Sequence, residues 1–470
     1  MGWIEEPTLL SRKVFGAKWW FFKKNVPDPP IVPPFVLVFV PWKNPAYERP
    51  TRLESMKNES YRILHTADWH LGKLLNDQSR DEEHALFLDW LLEVVAAEKI
   101  DAILVAGDVF DTANPPQSAL RRYYDFVSRL FKLGDCQLVL IAGNHDSAAQ
   151  LEAPKEALQS LQTHVVGFLP ENPDDRILCL PNRENPKVAM ALIPFLRDRD
   201  LRVGKAGETA DEIREQLASG ISECYAETAK AMGDAGLSCP LVATGHLTVV
   251  GSETSDSERD IHIGGLGSVS PGHFPEAFDY VALGHLHRPQ SSDPGGRVRY
   301  SGSPIALSFS ESTDRKEVRI LEVGEKAIEH RSLLIPVFRS LAQIRTSTAD
   351  LEKSIKEFSA GKGKLRAWAE LIVEDALLED SIAERVAGLV EGLDFDVLKV
   401  VRGKAESIIG MSAENVSDDE AIESLLDQPV HVFEHLLDQQ EQFSEKEVEE
   451  LKLAFARLME MEAQPELLEA

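Results

Sequence analysis

Residues 101–111 read DAILVAGDVFD, five apolar positions running into Gly107 and Asp108, with a second aspartate, Asp111, three residues on. A short apolar run closed by glycine and aspartate reads as a buried strand ending in a tight turn. Upstream, YRILHTAD (61–68) reads as another strand, and DEEHALFLDWLLEVVAAEK (81–99) as a helix with apolar residues at three and four spacing. Downstream, LRRYYDFVSRLFKL (120–133) reads as a helix and CQLVLIAGNHD (136–146) as a strand. Strands alternating with helices predict a layered α/β domain with largely parallel strands. Each strand delivers its polar residues at its carboxyl end, where open α/β sheets build their sites.

Collecting those strand ends yields a chemically coherent set. ADWH carries Asp68 and His70, GDVFD carries Asp108 and Asp111, and GNHD carries Asn144, His145 and Asp146. Further on, ALIPF ends another strand, LVATGHLTV brings His246, and YVALGHLHRPQ brings His285 and His287. Imidazole and carboxylate without thiolate is the donor set of borderline-hard divalent metals. The donors exceed what one four-coordinate ion needs, and a carboxylate such as Asp108 can bridge two ions about 4 Å apart. Each motif alone has a plainer explanation. Asp at a strand end is often a cap or turn residue, GNHD suits a tight turn, and His246 alone suits a core histidine. Five such turns in order, each after an apolar strand, favour a dinuclear metal site.

Bulk properties bound the class. At 470 residues the chain exceeds what one core usually serves, so two or three folding units are expected. No run of about 18 apolar residues occurs, so no membrane span is expected. A net charge of -28 argues against coating nucleic acid through the overall field, so any such contact must be local or metal-mediated. Cys136, Cys179, Cys224 and Cys239 show neither CxxC spacing nor disulfide-scaffold density, and a reducing cytoplasm is the simplest compartment.

Residues 1–55 differ from the rest. They hold nine of the 26 prolines and four of the seven tryptophans, with 8 basic against 5 acidic residues. One reading is an N-terminal extension ahead of a true start at Met56; the other is a docking or targeting arm, carried by Trp19, Trp20, Phe21 and Phe22. After the motif-bearing part, residues 337–402 alternate strand, helix, strand, helix, strand, a compact α+β unit. Lys362, Lys364 and Arg366 are its best basic cluster, read equally as a DNA contact or a solvated turn. The tail is acidic. Its segment SEKEVEELKLAFARLMEME opens with a capping box, Ser444 to Glu447, and repeats Val448, Leu451, Phe455, Leu458 and Met459 on one face. Such a stripe packs on its own domain or docks on a partner helix.

The ordered series DxH, GDxxD, GNHD, GH and GHxH resembles the calcineurin-like metallophosphoesterase superfamily. Within it, LHTADWHLGK, DAILVAGDVFDT, GNHDS, GHLTVVG, RDIHIG, ALGHLHRPQ and YSGSPIALSFSE resemble its bacterial DNA-repair nuclease branch over residues 56–330. The resemblance implies a metallophosphoesterase β-sandwich flanked by helices over 56–330, a capping domain over 331–405 and a partner-binding helical tail over 406–470. It implies Asp68, His70 and His287 as ligands of one metal, Asn144, His246 and His285 as ligands of the second, and Asp108 as the bridge. His145 resembles the catalytic histidine, while Asp111 and Asp146 fall beside the ligands. Manganese is the usual metal, and the partners implied are DNA, a coiled-coil ATPase and a second copy of the chain. The helices DEEHALFLDWLLEVV and LRRYYDFVSRLF could hold that dimer contact or simply pack on the sheet. The alternatives are a phosphoesterase for nucleotides or other small phosphodiesters, separated by activity on duplex DNA, and a non-catalytic scaffold, separated by metal content.

Overall fold

The computed structural model describes residues 60–402, apart from 206–207, 256, 259–267, 360–362 and 377–380, and a few helical positions between 433 and 455. The 1–55 extension, RDIHIG, Lys362, the Ser444–Glu447 capping box, Leu458 and Met459 lie outside the described residues.

Two six-stranded sheets carry the motifs. The first runs, in order, Ile328–Leu334, Glu317–Val323, Tyr61–Thr66, Ala102–Ala106, Gln137–Ile141 and Thr163–Val166. The second runs Gln290–Ser291, Val298–Tyr300, Tyr280–Gly284, Leu241–His246, Val188–Ala191 and Ile177–Leu180. The four strands from Tyr61–Thr66 to Thr163–Val166 are parallel, as are the four from Val298–Tyr300 to Val188–Ala191. Antiparallel strands close the edges, where short connections such as the turn between Val323 and Ile328 leave room only for a hairpin.

The near-continuous apolar runs have a direct cause, since both faces of each sheet are covered. Ile63, Leu104, Val139 and Ile141 meet Met190, Val242, Tyr280 and Ala282 between the sheets. Their neighbours Leu64, Ile103, Val105, Leu138 and Leu140 pack under Phe87, Leu91, Phe126 and Leu130 from helices Asp81–Glu98 and Gln117–Leu133. On the far side, Ala189, Ala243, Val281 and Leu283 pack under Ile221, Tyr225 and Met232 of helix Ala210–Asp234. The result is four layers, helix, sheet, sheet, helix. Each fully buried Val, Leu or Ile contributes roughly 1.5–3 kcal/mol relative to exposure. Helix Ala210–Asp234 has no counterpart among the expected elements, although its capping box, Thr209 with Glu212, was a readable start signal.

In the smaller unit, strands Arg339–Thr346, Leu365–Val373 and Phe395–Arg402 run parallel, with helices Leu351–Glu357 and Ile382–Val390 in the crossovers. Leu351, Ile355, Leu371, Val373, Ile382, Val386 and Phe395 form its core. Leu341 and Trp368 join it to Leu75 and Phe309 of the larger unit. In the tail, Phe455, on the expected stripe, stacks on Phe433 with ring centroids 4.1 Å apart.

Candidate metal centre

The first two motif loops lie side by side because their backbones pair. Asp68 N–H donates to the Gly107 carbonyl, His70 N–H to that of Asp108 and Leu71 N–H to that of Val109, each at 3.0 Å. Trp69, between the two candidate ligands, turns away into the helix layer. It is fully buried edge-on to Phe87 and Phe126, and its Nε1 donates to Thr66 Oγ1 at 3.1 Å. That anchor sends Asp68 and His70 into the site.

The backbone is strained where the site residues sit. Asp68, His70, Asp108 and His285 have φ of 53°, 46°, 50° and 99°. A left-handed conformation at a non-glycine residue costs on the order of 1–3 kcal/mol and persists where the surroundings dictate it. The motif glycines serve close approach: a Cβ on Gly107 would lie 2.2 Å from His246 Nδ1, and one on Gly143 would lie 2.1 Å from Asp108 Oδ1.

All the candidate ligands come from strand ends at one edge of both sheets. His70 Nε2 faces His287 Nε2 at 3.2 Å and Asp108 Oδ2 at 3.5 Å. His246 Nε2 lies 3.4 Å from Asp108 Oδ2 and 2.9 Å from Asn144 Oδ1. Asp108 thus stands between two imidazole groups, where a bridging carboxylate would stand. Among the described residues, three triads have donor atoms within 4.8 Å of one another: Asp68, His70 and His287; His70, Asp108 and His145; Asp68, Asp108 and His246. His285 belongs to none of them; its ring packs edge-on against His246 at 5.4 Å, and its backbone N–H donates to Asp68 Oδ1 at 2.8 Å. Asp68 Oδ2 is buried without a hydrogen-bond partner. An orphaned carboxylate oxygen among facing imidazole nitrogens fits divalent cations, whose charge would satisfy it.

Without an ion, burial and mutual charge set the protonation of these groups, and a cation would have to displace protons from Asp68 and His246. Burial, reinforced by the charge of Asp108, raises the Asp68 pKa well above the carboxylate range. Burial alone would also raise Asp108, but His246, His145 and His70 outweigh it and hold Asp108 well below that range. Burial disfavours the charged form of His246, yet Asp108 and Asp68 overcome it and push its pKa up to about 9. His285 moves the other way, since burial and the adjacent His246 charge lower it. Burial lowers His70 and His287 as well, which favours the neutral imidazole that a metal ligand must be.

Residues beside the donors orient them. His70 Nδ1 lies 3.2 Å from Asp111 Oδ1, which also pairs with Lys73 Nζ at 3.2 Å. The Asp111 carbonyl accepts from His145 Nδ1 at 2.7 Å, which fixes the ring and assigns any proton exchange with a substrate to Nε2. Asp146 accepts backbone N–H bonds from Gly143 (2.9 Å), Val109 (3.1 Å) and Phe110 (2.9 Å), tying the GNHD loop to the GDVFD loop. Burial and the Asp108 charge push its pKa up to about 7, opposed by those three donors. The sequence reading missed Lys73, Ser257, Glu258, Glu311 and Lys316. Glu311 lies within the stretch YSGSPIALSFSE, but nothing local distinguishes it from a surface acid. The basic cluster is weak, because Arg366 is committed to Asp396 at 2.8 Å.

Two helix-flanked mixed sheets with imidazole and carboxylate groups on one edge define a phosphoesterase of the calcineurin-like class. Residues 61–289 match the calcineurin-like phosphoesterase family, and residues 337–441 match the SbcD C-terminal family, described as the type 5 capsule protein repressor C-terminal domain. The chain is 40% identical over 352 residues to the SbcD subunit of nuclease SbcCD from Escherichia coli K12, covering 73% of this chain and 86% of that protein. Its identity to the same subunit is 44% over 288 residues in Rhodobacter capsulatus (59% of this chain, 70% of that protein) and 38% over 282 residues in Bacillus subtilis (58% and 69%). The chain belongs to the SbcD family of nuclease subunits, hydrolytic enzymes built on a metallophosphoesterase domain.

Proposed function

We propose that the protein is the nuclease subunit of an SbcCD-type complex in DNA repair, recombination and replication, cutting duplex ends as an exonuclease and single strands as an endonuclease. The observation that carries the reading is the Asp108 carboxylate standing between His70 and His246, beside the unpartnered Asp68 oxygen. Asp68, His70 and His287 would hold one ion, Asn144, His246 and His285 the second, with Asp108 shared between them; manganese is the metal this reading favours. When bound, two divalent ions lower the pKa of a water and offset charge on the phosphodiester oxygens.

The chain's own groups do the rest. In-line attack by a water oxygen, which gives up a proton to solvent, forms a new P–O bond as the bond to the departing sugar oxygen breaks, and that oxygen must take up a proton. His145 supplies it from Nε2, because its Nδ1–H is committed to the Asp111 carbonyl. His145→Ala is therefore expected to lower turnover by about 10²–10⁴-fold while both metals still bind. Unchanged turnover in a metal-loaded variant would remove His145 from the mechanism.

The 331–405 unit serves as a cap that places DNA over the site. The tail from 406 docks on the coiled coil of an SbcC-type ATPase, which supplies DNA affinity that an acidic chain lacks. Two copies of each protein make a heterotetramer; Tyr124 and Leu133, exposed on helix Gln117–Leu133, support a nuclease–nuclease contact there. The test is incubation of the full chain with end-labelled linear duplex DNA, comparing manganese, magnesium and chelator. Manganese-dependent shortening supports the reading. Turnover of a small phosphodiester without cutting of duplex DNA, even with the ATPase added, would favour a small-substrate phosphoesterase.

A further inference from the structure

Behind His287, on the ring face turned from the other donors, lies a closed polar network that the motifs do not announce. Glu311 is fully buried, and Lys316 is 8% exposed. His287 Nδ1 lies 3.4 Å from Glu311 Oε1 and hydrogen bonds to Ser257 Oγ, which in turn donates to the same carboxylate oxygen. Lys316 Nζ directs its three protons to Glu311 Oε2 at 2.6 Å, Ser303 Oγ at 3.0 Å and the His287 carbonyl at 2.9 Å. Leu307 N–H also donates to Glu311 Oε2, at 3.1 Å. Glu258 accepts from the His287 backbone N–H at 2.6 Å, but stands 3.9 Å from Nδ1. Of these two carboxylates, Glu311 is the nearer to the ring.

We propose that the buried Glu311–Lys316 pair is a positioning device for the metal centre, fixing His287 at both its ring and its backbone so that Nε2 faces the ion. The inference rests on the reading of His287 as a ligand. A carboxylate at Nδ1, direct or through a hydroxyl, keeps the proton on Nδ1 and leaves the Nε2 lone pair forward. The ammonium makes that carboxylate tolerable in the interior and pins the carbonyl of the same histidine. One ion pair therefore sets the tautomer, the ring tilt and the chain position.

The amide of Glu311→Gln would have the wrong polarity. Lys316 and Leu307 both donate to Oε2, so the amide oxygen must stay there and its NH₂ must face Ser257 and the ring. The test titrates metal-free protein with Mn²⁺ alone, following loss of the free-ion paramagnetic resonance signal, beside thermal unfolding. Glu311→Gln is expected to weaken one of the two tight sites about 10–100-fold and spare the other. The double variant Glu311→Gln/Lys316→Met removes the stranded charge; it is expected to recover thermal stability without recovering the site. Return of wild-type Mn²⁺ affinity with stability would mean the pair is merely structural and would overturn the proposal. His287→Ala separates the two levels. If it loses one tight Mn²⁺ while Glu311→Gln loses none, positioning fails and the ligand reading stands. If His287→Ala keeps both, the ligand reading fails and the proposal with it.

Discussion

Asp108→Asn is expected to abolish hydrolysis, by at least about 10³-fold, and to weaken both metal sites at once. Asparagine is the right probe because residue 108 has a φ of 50°, which Asn tolerates better than Ala, so the result reports charge and not backbone strain. Asp108 Oδ2 lies within 3.5 Å of both His70 Nε2 and His246 Nε2, and the same carboxylate accepts the His145 backbone N–H at 2.9 Å through Oδ1. A single oxygen of this carboxylate therefore reaches a ring from each half of the donor set. Bound ions would contribute several kcal/mol of charge stabilisation in the transition state, and each 1.4 kcal/mol is tenfold in rate, which sets the size of the loss. The measurements are bound manganese per chain and phosphodiester turnover. A variant that loses one ion and keeps the other would show that the carboxylate does not bridge.

The cluster of candidate site residues was legible because each motif is short and local. A buried strand must end in a turn, and polar residues there lie on the same edge as those of its parallel neighbours. Asp68, His70, Asp108, Asn144, His145, His246, His285 and His287 could all be named before their distances were known. Less legible was the arrangement within that edge. His145 sits in a donor triad with His70 and Asp108, and His285 in none, because a ring's direction depends on backbone twists such as the φ of 99° at residue 285. The Glu311–Lys316 pair was hidden for another reason: its partners, Ser257, His287 and Ser303, come from separate loops, and spacing along the chain does not encode that meeting. Helix Ala210–Asp234 is rich in alanine and glycine, so its apolar period is faint even though its cap is plain.

Glu83→Ala is expected to destabilise the protein by about 3–5 kcal/mol and to loosen the smaller unit from the larger, whereas Glu82→Ala, one residue away, should cost about 1 kcal/mol or less. Both acids meet the same cation. Arg339 Nε lies 3.1 Å from Glu83 Oε2 and Arg339 Nη2 lies 3.1 Å from Glu82 Oε2, but the side chain of Glu83 is 1% exposed and that of Glu82 72%. Glu83 also takes Arg80 at 2.7 Å, and the Arg80 side chain is itself 1% exposed. Removing Glu83 strands the buried Arg80 guanidinium and leaves Arg339, which lies 3.8 Å over Trp368, with only the exposed Glu82 as its carboxylate. A stranded buried charge costs far more than a lost surface pair, because water no longer solvates it. Arg339 opens the first strand of the smaller unit, Arg80 precedes the first long helix of the larger and Glu83 lies in its first turn, so the damage falls on their joint. Urea unfolding gives the stability difference, and the rate of proteolytic nicking near residue 336 reports the joint. Equal costs for the two substitutions would mean that the joint is hydrated in solution and that Leu75, Phe309, Leu341 and Trp368 alone hold the two units together.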